Sequence, residues 1–264
     1  MTHAPHLAVR PPRPATSFAF RHHVWKAGTT SLSPYLSCNL EALPVPRLLH
    51  RLPGRPPGYL HVGSAREPLS RFLSGFQEVY ARALASEHSR CRAFGVPWLR
   101  LALRAGGADG AGGGCPIDRL SPADVARVLR QFVADVGCGV RFANGEHLLS
   151  QSLFLGGNAS APSPVDMLLR LESLPRDIAA LRRRVGHAAP ELCPLGRERA
   201  QAAKPPQVPS QRELRAVLTA DGALMQAVCD LLMTDFLCLG YPLPQGCAVG
   251  GTRRGRQGRA AENG

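Results

Sequence analysis

The chain has 264 residues, long enough for one substantial core, and sets 32 lysines and arginines against 19 acidic residues, a net charge of +13. That balance favours polyanionic partners such as nucleotides, acidic membrane surfaces and sulfated or carboxylated glycans, while the lack of any RNA- or DNA-binding motif argues against nucleic acid. The eight cysteines form no Cys-x-x-Cys pair, which argues against zinc and leaves disulfides and buried thiols equally open; no apolar run is read as approaching the roughly 18 residues of a membrane span.

Residues 1–15 are rich in His, Arg and Pro, lack an apolar signal core, and are expected to be disordered. The folded domain is expected over residues 16–249, with flexible inserts near 105–115 and 195–210, followed by a disordered basic tail at 250–264. It opens with a short buried strand of aromatic and β-branched residues starting at Phe18. A turn follows, Lys26-Ala27-Gly28-Thr29-Thr30-Ser31, with one lysine, one glycine and three consecutive hydroxyls before residues that can start a helix. A strand, a small-residue turn and a helix N-terminus make an anion cradle, because backbone N–H groups and the helix dipole point at the ligand and Lys26 adds a full charge. The turn is no Walker A loop, since its lysine precedes the glycine. Taken alone, an ordinary polar turn explains it equally well.

A short helix is expected over Ser31 to Leu40, then a Pro- and Arg-rich loop from Glu41 to Gly58. Tyr59 to Gly63 reads as a second strand, ending at Ser64-Ala65-Arg66-Glu67-Pro68. Pro68 suits a first helical turn, and Leu69, Phe72, Leu73, Phe76, Val79, Tyr80 and Ala83 recur at helical spacing. This delivers Arg66 to the mouth of a helix that carries Ser74 one to two turns inside, a pairing of guanidinium and hydroxyl suited to a second phosphate. A solvated arginine and a helix-face serine are the bland alternative. Ser121-Pro122-Ala123-Asp124 announces another helix, with Val125, Val128, Leu129, Phe132, Val133 and Val136 as its buried stripe. His147 to Leu155 is expected as a loop running into a strand, Val165 to Leu171 as a strand, Glu172 to Arg184 as a helix. Glu213 to Leu239 is expected to be helical, with a break near Asp221-Gly222. Strands alternating with helices, led by a phosphate-type turn, predict a three-layer α/β, P-loop-like fold around a central, mostly parallel sheet, with ligands at the carboxyl ends of its strands.

Four blocks, in order, resemble the sulfotransferases that use the nucleotide sulfate donor PAPS (3′-phosphoadenylyl sulfate), and among them the Golgi carbohydrate enzymes of the chondroitin type. His23 to Ser31 looks like the 5′-phosphosulfate loop. Arg66-Glu67-Pro68-Leu69-Ser70-Arg71-Phe72-Leu73-Ser74-Gly75-Phe76 matches the element that binds the 3′-phosphate. His147-Leu148-Leu149-Ser150-Gln151 is similar to a His-x-x-x-Gln segment, and Asp166 to Asp177 with Asp235 to Tyr241 resembles the C-terminal half. Trp25 stands where the family usually has proline, Leu148 where it often has tryptophan, and the family's anchor and stem have no counterpart in the chain.

The resemblance implies transfer of the sulfuryl group of PAPS to a hydroxyl of an acceptor, carbohydrate by analogy, in the Golgi lumen or at its membrane, with no metal. It places Lys26, Ala27, Gly28, Thr29, Thr30 and Ser31 on the 5′-phosphosulfate and Arg66 with Ser74 on the 3′-phosphate. Lys26 would also stabilise charge on the leaving oxygen. For the general base, His147 is preferred over Glu146, His61, His22 and His23, although a lone histidine is more often structural. Asn158-Ala159-Ser160 is a glycosylation sequon in keeping with a lumenal location. Two other readings stay open: a P-loop nucleotide kinase or NTPase, which would need Walker A and B elements not found here, and a non-catalytic module of the same fold that binds an anionic ligand.

Overall fold

The structure is a computed structural model describing residues 6–9, 17–20, 27, 32, 35–36, 38–40, 42–45, 59–85, 98, 101, 120–139, 147–155, 165–186, 191, 193, 195 and 205–249. Five strands form one sheet: β1 (His6–Val9), β2 (Ser17–Phe20), β3 (Ala42–Val45), β4 (Tyr59–Ala65) and β5 (Met167–Arg170), in the order β3-β1-β2-β4-β5. β2, β4 and β5 run parallel, with Phe20 opposite Val62 and Ala65 opposite Arg170. β1 is antiparallel to both its neighbours. The fold is therefore α/β with a mixed sheet in which parallel pairing is confined to β2, β4 and β5.

Two strands correct the sequence reading. Residues 6–9, expected to be disordered, form β1, and residues 42–45, expected as loop, form β3. Both are four residues long in Pro-rich surroundings, and each finds its pairing partner tens of residues away or across a turn rather than in a local pattern. Edge strands tolerate proline, as at Pro44 in β3. The expected inserts near 105–115, most of 195–210 and the tail at 250–264 lie outside the described residues.

β4 sorts its side chains by parity, as a strand between two packed faces must. Leu60 and Val62 join Leu169 of β5 in a core with the helical residues Leu32, Tyr35 and Leu36 and with Leu174, Ile178 and Leu181 of helix α4 (Leu174–Arg184). Ala65, of opposite parity, packs instead with Ala27, Leu155 and Leu239. Cys38 and Cys193 form a disulfide beside the first of these cores.

The largest core is helical. It is built by α1 (Pro68–Ala85), α2 (Pro122–Gly137), α5 (Gln211–Ala220) and α6 (Gly222–Leu239), and α6 packs on all of the other three. The expected stripe of α1 is buried apart from the half-buried Ala83, and Phe76 meets Phe132 of α2 edge-to-face at 4.8 Å, with Trp98 against the same rings. Each such ring contributes on the order of 2–3 kcal/mol by leaving water. Ser121 caps α2 by accepting from Asp124 N–H, and Ser210 with Glu213 forms a full capping box on α5. Asp221 ends α5 and caps α6, the break expected there.

α6 is long and apolar enough to cross a membrane, its 18 residues averaging a mean hydropathy of 1.5, which corrects the reading that no run approached that length. Its apolarity is accounted for by packing: Leu224, Met225, Val228, Cys229, Leu232, Phe236 and Leu239 are all buried in the protein. A second disulfide, Cys229–Cys247, ties it to the C-terminal segment, while Cys138 and Cys238 are free and exposed.

Candidate functional site

The described part of the candidate site lies at the carboxyl end of β4. Of the first cradle, Lys26, Gly28, Thr29, Thr30 and Ser31 lie outside the described residues, as do Glu146, His22, His23 and the Asn158 sequon; Ala27 is described. Ala27 is 2% exposed and belongs to one apolar cluster with Ala65, the last residue of β4, Leu155 and Leu239.

Arg66 sits between β4 and α1, one residue past the end of the β4–β5 ladder. Its backbone bonds are supplied by a side chain: Arg66 N–H donates to Gln151 Oε1 at 2.9 Å, and Gln151 Nε2 donates to the Arg66 carbonyl at 2.8 Å. The Arg66 guanidinium is held below its ordinary pKa by burial, opposed by the nearby carboxylates of Glu172 and Glu67. Arg215 of α5 adds like charge to the same region.

Glu67 closes the N-terminus of α1. Its carboxylate accepts from Leu69 N–H at 2.9 Å and from Ser70 N–H at 2.7 Å, while its own N–H donates to Glu172 Oε1 at 2.7 Å. The first-turn amides are thereby taken by a carboxylate, so a ligand phosphate would be met by side chains and not by these N–H groups. Arg215 Nη2 donates to Ser70 Oγ and lies 3.5 Å from Glu67 Oε2. Glu172 also accepts from the Tyr241 hydroxyl at 3.0 Å, and Tyr241 lies under the Arg170 guanidinium at 4.8 Å. Burial, with Glu172 close by, pushes the Tyr241 hydroxyl far above its ordinary pKa, so it stays a donor.

Further along α1, Arg71, Ser74 and Gly75 share one face by helical spacing. Ser74 is 8% exposed and Arg71 is 1% exposed. Burial lowers the Arg71 pKa to about 10 against the attraction of Asp235. His147 reaches this face: a Cβ at Gly75 would lie 2.7 Å from the His147 carbonyl oxygen, so the absence of a side chain there admits the segment. His147 itself is 2% exposed. The expected strand after it is instead a short helix, α3 (Gln151–Phe154), because Ser150 caps the segment and Asp235 binds its amides.

The structure thus sets Ala27 in the cluster of Ala65, which precedes Arg66, and brings the His147 backbone against α1 at Gly75, the residue after Ser74. Sequence reasoning missed the partners: Glu67 as cap, Arg215 as second guanidinium and Gln151 as the side chain that binds the Arg66 backbone. A glutamate just before Pro68 was readable only as an acidic residue favoured at a helix start, not as the cap it forms. Nothing local announces Arg215, whose approach depends on how α5 packs against α1. No family model, curated protein or solved structure matches the chain.

Proposed function

We propose that the protein is a PAPS-dependent sulfotransferase of three-layer, P-loop-like fold acting on an acceptor hydroxyl, with carbohydrate as the acceptor class. The observation that supports this reading is that Ala27, which follows Lys26 in the chain, is buried in one apolar cluster with Ala65, the residue before Arg66. In this reading the turn of Lys26, Gly28, Thr29, Thr30 and Ser31 holds the 5′-phosphosulfate. Arg66 and Ser74 hold the 3′-phosphate, and Arg215 adds positive charge there.

The acceptor oxygen forms its bond to sulfur as the bond from sulfur to the bridging phosphate oxygen breaks. Lys26 stabilises the charge left on that oxygen, and the acceptor proton passes to a base. His147 takes the role of base; its burial weighs against it, since a base must touch the hydroxyl it deprotonates. The two disulfides favour the lumenal location that the Golgi reading requires.

Thermal unfolding with 3′-phosphoadenosine 5′-phosphate (PAP), the spent donor, tests the donor assignment. At about 100 times its Kd, PAP should raise the Tm by about 5–10 °C while ATP leaves it unchanged. An unmoved Tm with PAP overturns the assignment. In a donor-saturated screen across glycans, phenols and lipids, Lys26→Ala should then lower turnover on the responding acceptor by about 10²-fold or more. The buried His147 favours a second reading, a non-catalytic module. PAP protection without turnover on any acceptor would select it.

A further inference from the structure

We infer that Gln151 and Asp235 are positioning residues that set the Arg66 guanidinium against the 3′-phosphate of the donor, an inference resting on the reading of Arg66 as that phosphate's ligand. Arg66 lies beyond the last pair of the parallel ladder and before the first helical bond of α1, Arg71 N–H to the Glu67 carbonyl at 2.9 Å. At such a junction the backbone has no repeating partner, and its polar groups must be satisfied individually. Gln151, fully buried, satisfies both Arg66 groups with one amide. A primary amide is the side chain able to accept and donate in this way at one residue.

Gln151 is in turn fixed from α6. Asp235, 1% exposed, accepts from Gln151 N–H at 2.8 Å and Ser152 N–H at 2.9 Å, and from the hydroxyls of Ser150 and Ser152. Its charge faces the buried Arg71 guanidinium, which also feels Arg66. The relay therefore runs from Asp235 through the 150–152 turn and Gln151 to the Arg66 backbone. It bypasses the α1 cap, which Glu67 makes on its own. A ligand group positioned to within a fraction of an ångström needs its supporting shell fixed in this way.

The test separates positioning from plain structure by comparing PAP with 5′-AMP, which lacks the 3′-phosphate. Kd values are measured by calorimetry on wild type, Gln151→Ala, Gln151→Glu and Asp235→Asn, each checked for folding by circular dichroism. Wild type should prefer PAP. Gln151→Ala should lower that preference about tenfold, with 5′-AMP affinity unchanged, the size expected for losing a buried bonded pair. Gln151→Glu keeps an acceptor for Arg66 N–H but sets a buried carboxylate against the Arg66 carbonyl oxygen, so its preference should fall at least as far. Asp235→Asn keeps an acceptor oxygen for the 150–152 turn, and its preference should fall by a smaller factor. If wild type prefers PAP and the folded variants keep the full preference, the relay is overturned and the donor assignment stands. Equal loss of PAP and 5′-AMP affinity also overturns it. Should Gln151→Ala not fold, Asp235→Asn carries the comparison by the same criteria. Wild type that binds no PAP overturns the donor assignment and the relay together, an outcome visible without any variant.

Discussion

Glu67 performs two functions that pull in opposite directions. As the residue before Pro68 it caps α1 through Leu69 and Ser70 N–H, and as a carboxylate near Arg66 it opposes any anion that Arg66 would hold. Removing a cap costs about 1 kcal/mol. Removing a negative charge from a half-buried basic cluster strengthens anion binding, with the gain fading as salt rises. Glu67→Ala should therefore lower unfolding free energy in urea by about 1 kcal/mol, and at low salt it should raise PAP affinity by about two- to fivefold. Both affinity and stability falling would place the carboxylate among the donor's ligands. Ser70 and Arg215 sharpen the contrast: freed from Glu67, Arg215 keeps Ser70 Oγ as a partner and stays close to the site.

Among the elements, those whose signal lies within their own sequence were legible and those whose signal lies in a distant partner were not. α1 and α2 show a buried stripe at helical spacing, and the break at Asp221 was readable because an aspartate followed by glycine ends one helix and caps the next. β1 and β3 are four-residue strands stabilised only by pairing, and α3 replaces an expected strand because Asp235, 84 residues on from Gln151, collects its N-terminal amides. For the candidate site, Arg66, Ser74 and His147 stood in readable blocks, whereas Gln151's grip on Arg66 spans 85 residues of chain. Gly75 shows how an element can carry a constraint invisible in its own periodicity. In an open helix Gly→Ala stabilises by about 1 kcal/mol. Here the new Cβ would stand 2.7 Å from the His147 carbonyl oxygen and 3.1 Å from Leu148 Cδ2, and a backbone atom cannot rotate away. Gly75→Ala should cost about 1–3 kcal/mol in urea unfolding and displace the segment that carries Gln151. A gain in stability would show that α1 does not hold that segment.

Across the whole molecule, distant segments are clamped to the core by one recurring device, an amide side chain that binds both backbone groups of a single residue. Asn39 holds Cys193 at 2.8 and 3.0 Å, Gln226 holds Ala248 at 3.2 and 2.9 Å, and Gln151 holds Arg66. The first two clamps stand at or beside disulfides, Cys38–Cys193 and Cys229–Cys247, whereas the third is held by Asp235 and remains independent of redox state. The two bridges close loops of very different length, with separations of 155 and 18 residues. Loop-closure entropy then predicts that the first stabilises by about 5 kcal/mol and the second by about 3 kcal/mol. Cys38→Ser should accordingly lower the unfolding free energy more than Cys229→Ser, and a reductant, which opens both bridges, should bring wild type below either variant. The amide clamps make the expected order steeper for the first pair, because Tyr35 also donates to Glu191 at 2.6 Å and would lose that contact as the segment frees. Urea titrations of wild type and both variants, with and without reductant, measure this. Wild type indifferent to reductant, or Cys229→Ser the more damaging change, would refute the assignment of the long bridge as the main staple between residues 32–40 and the rest of the fold.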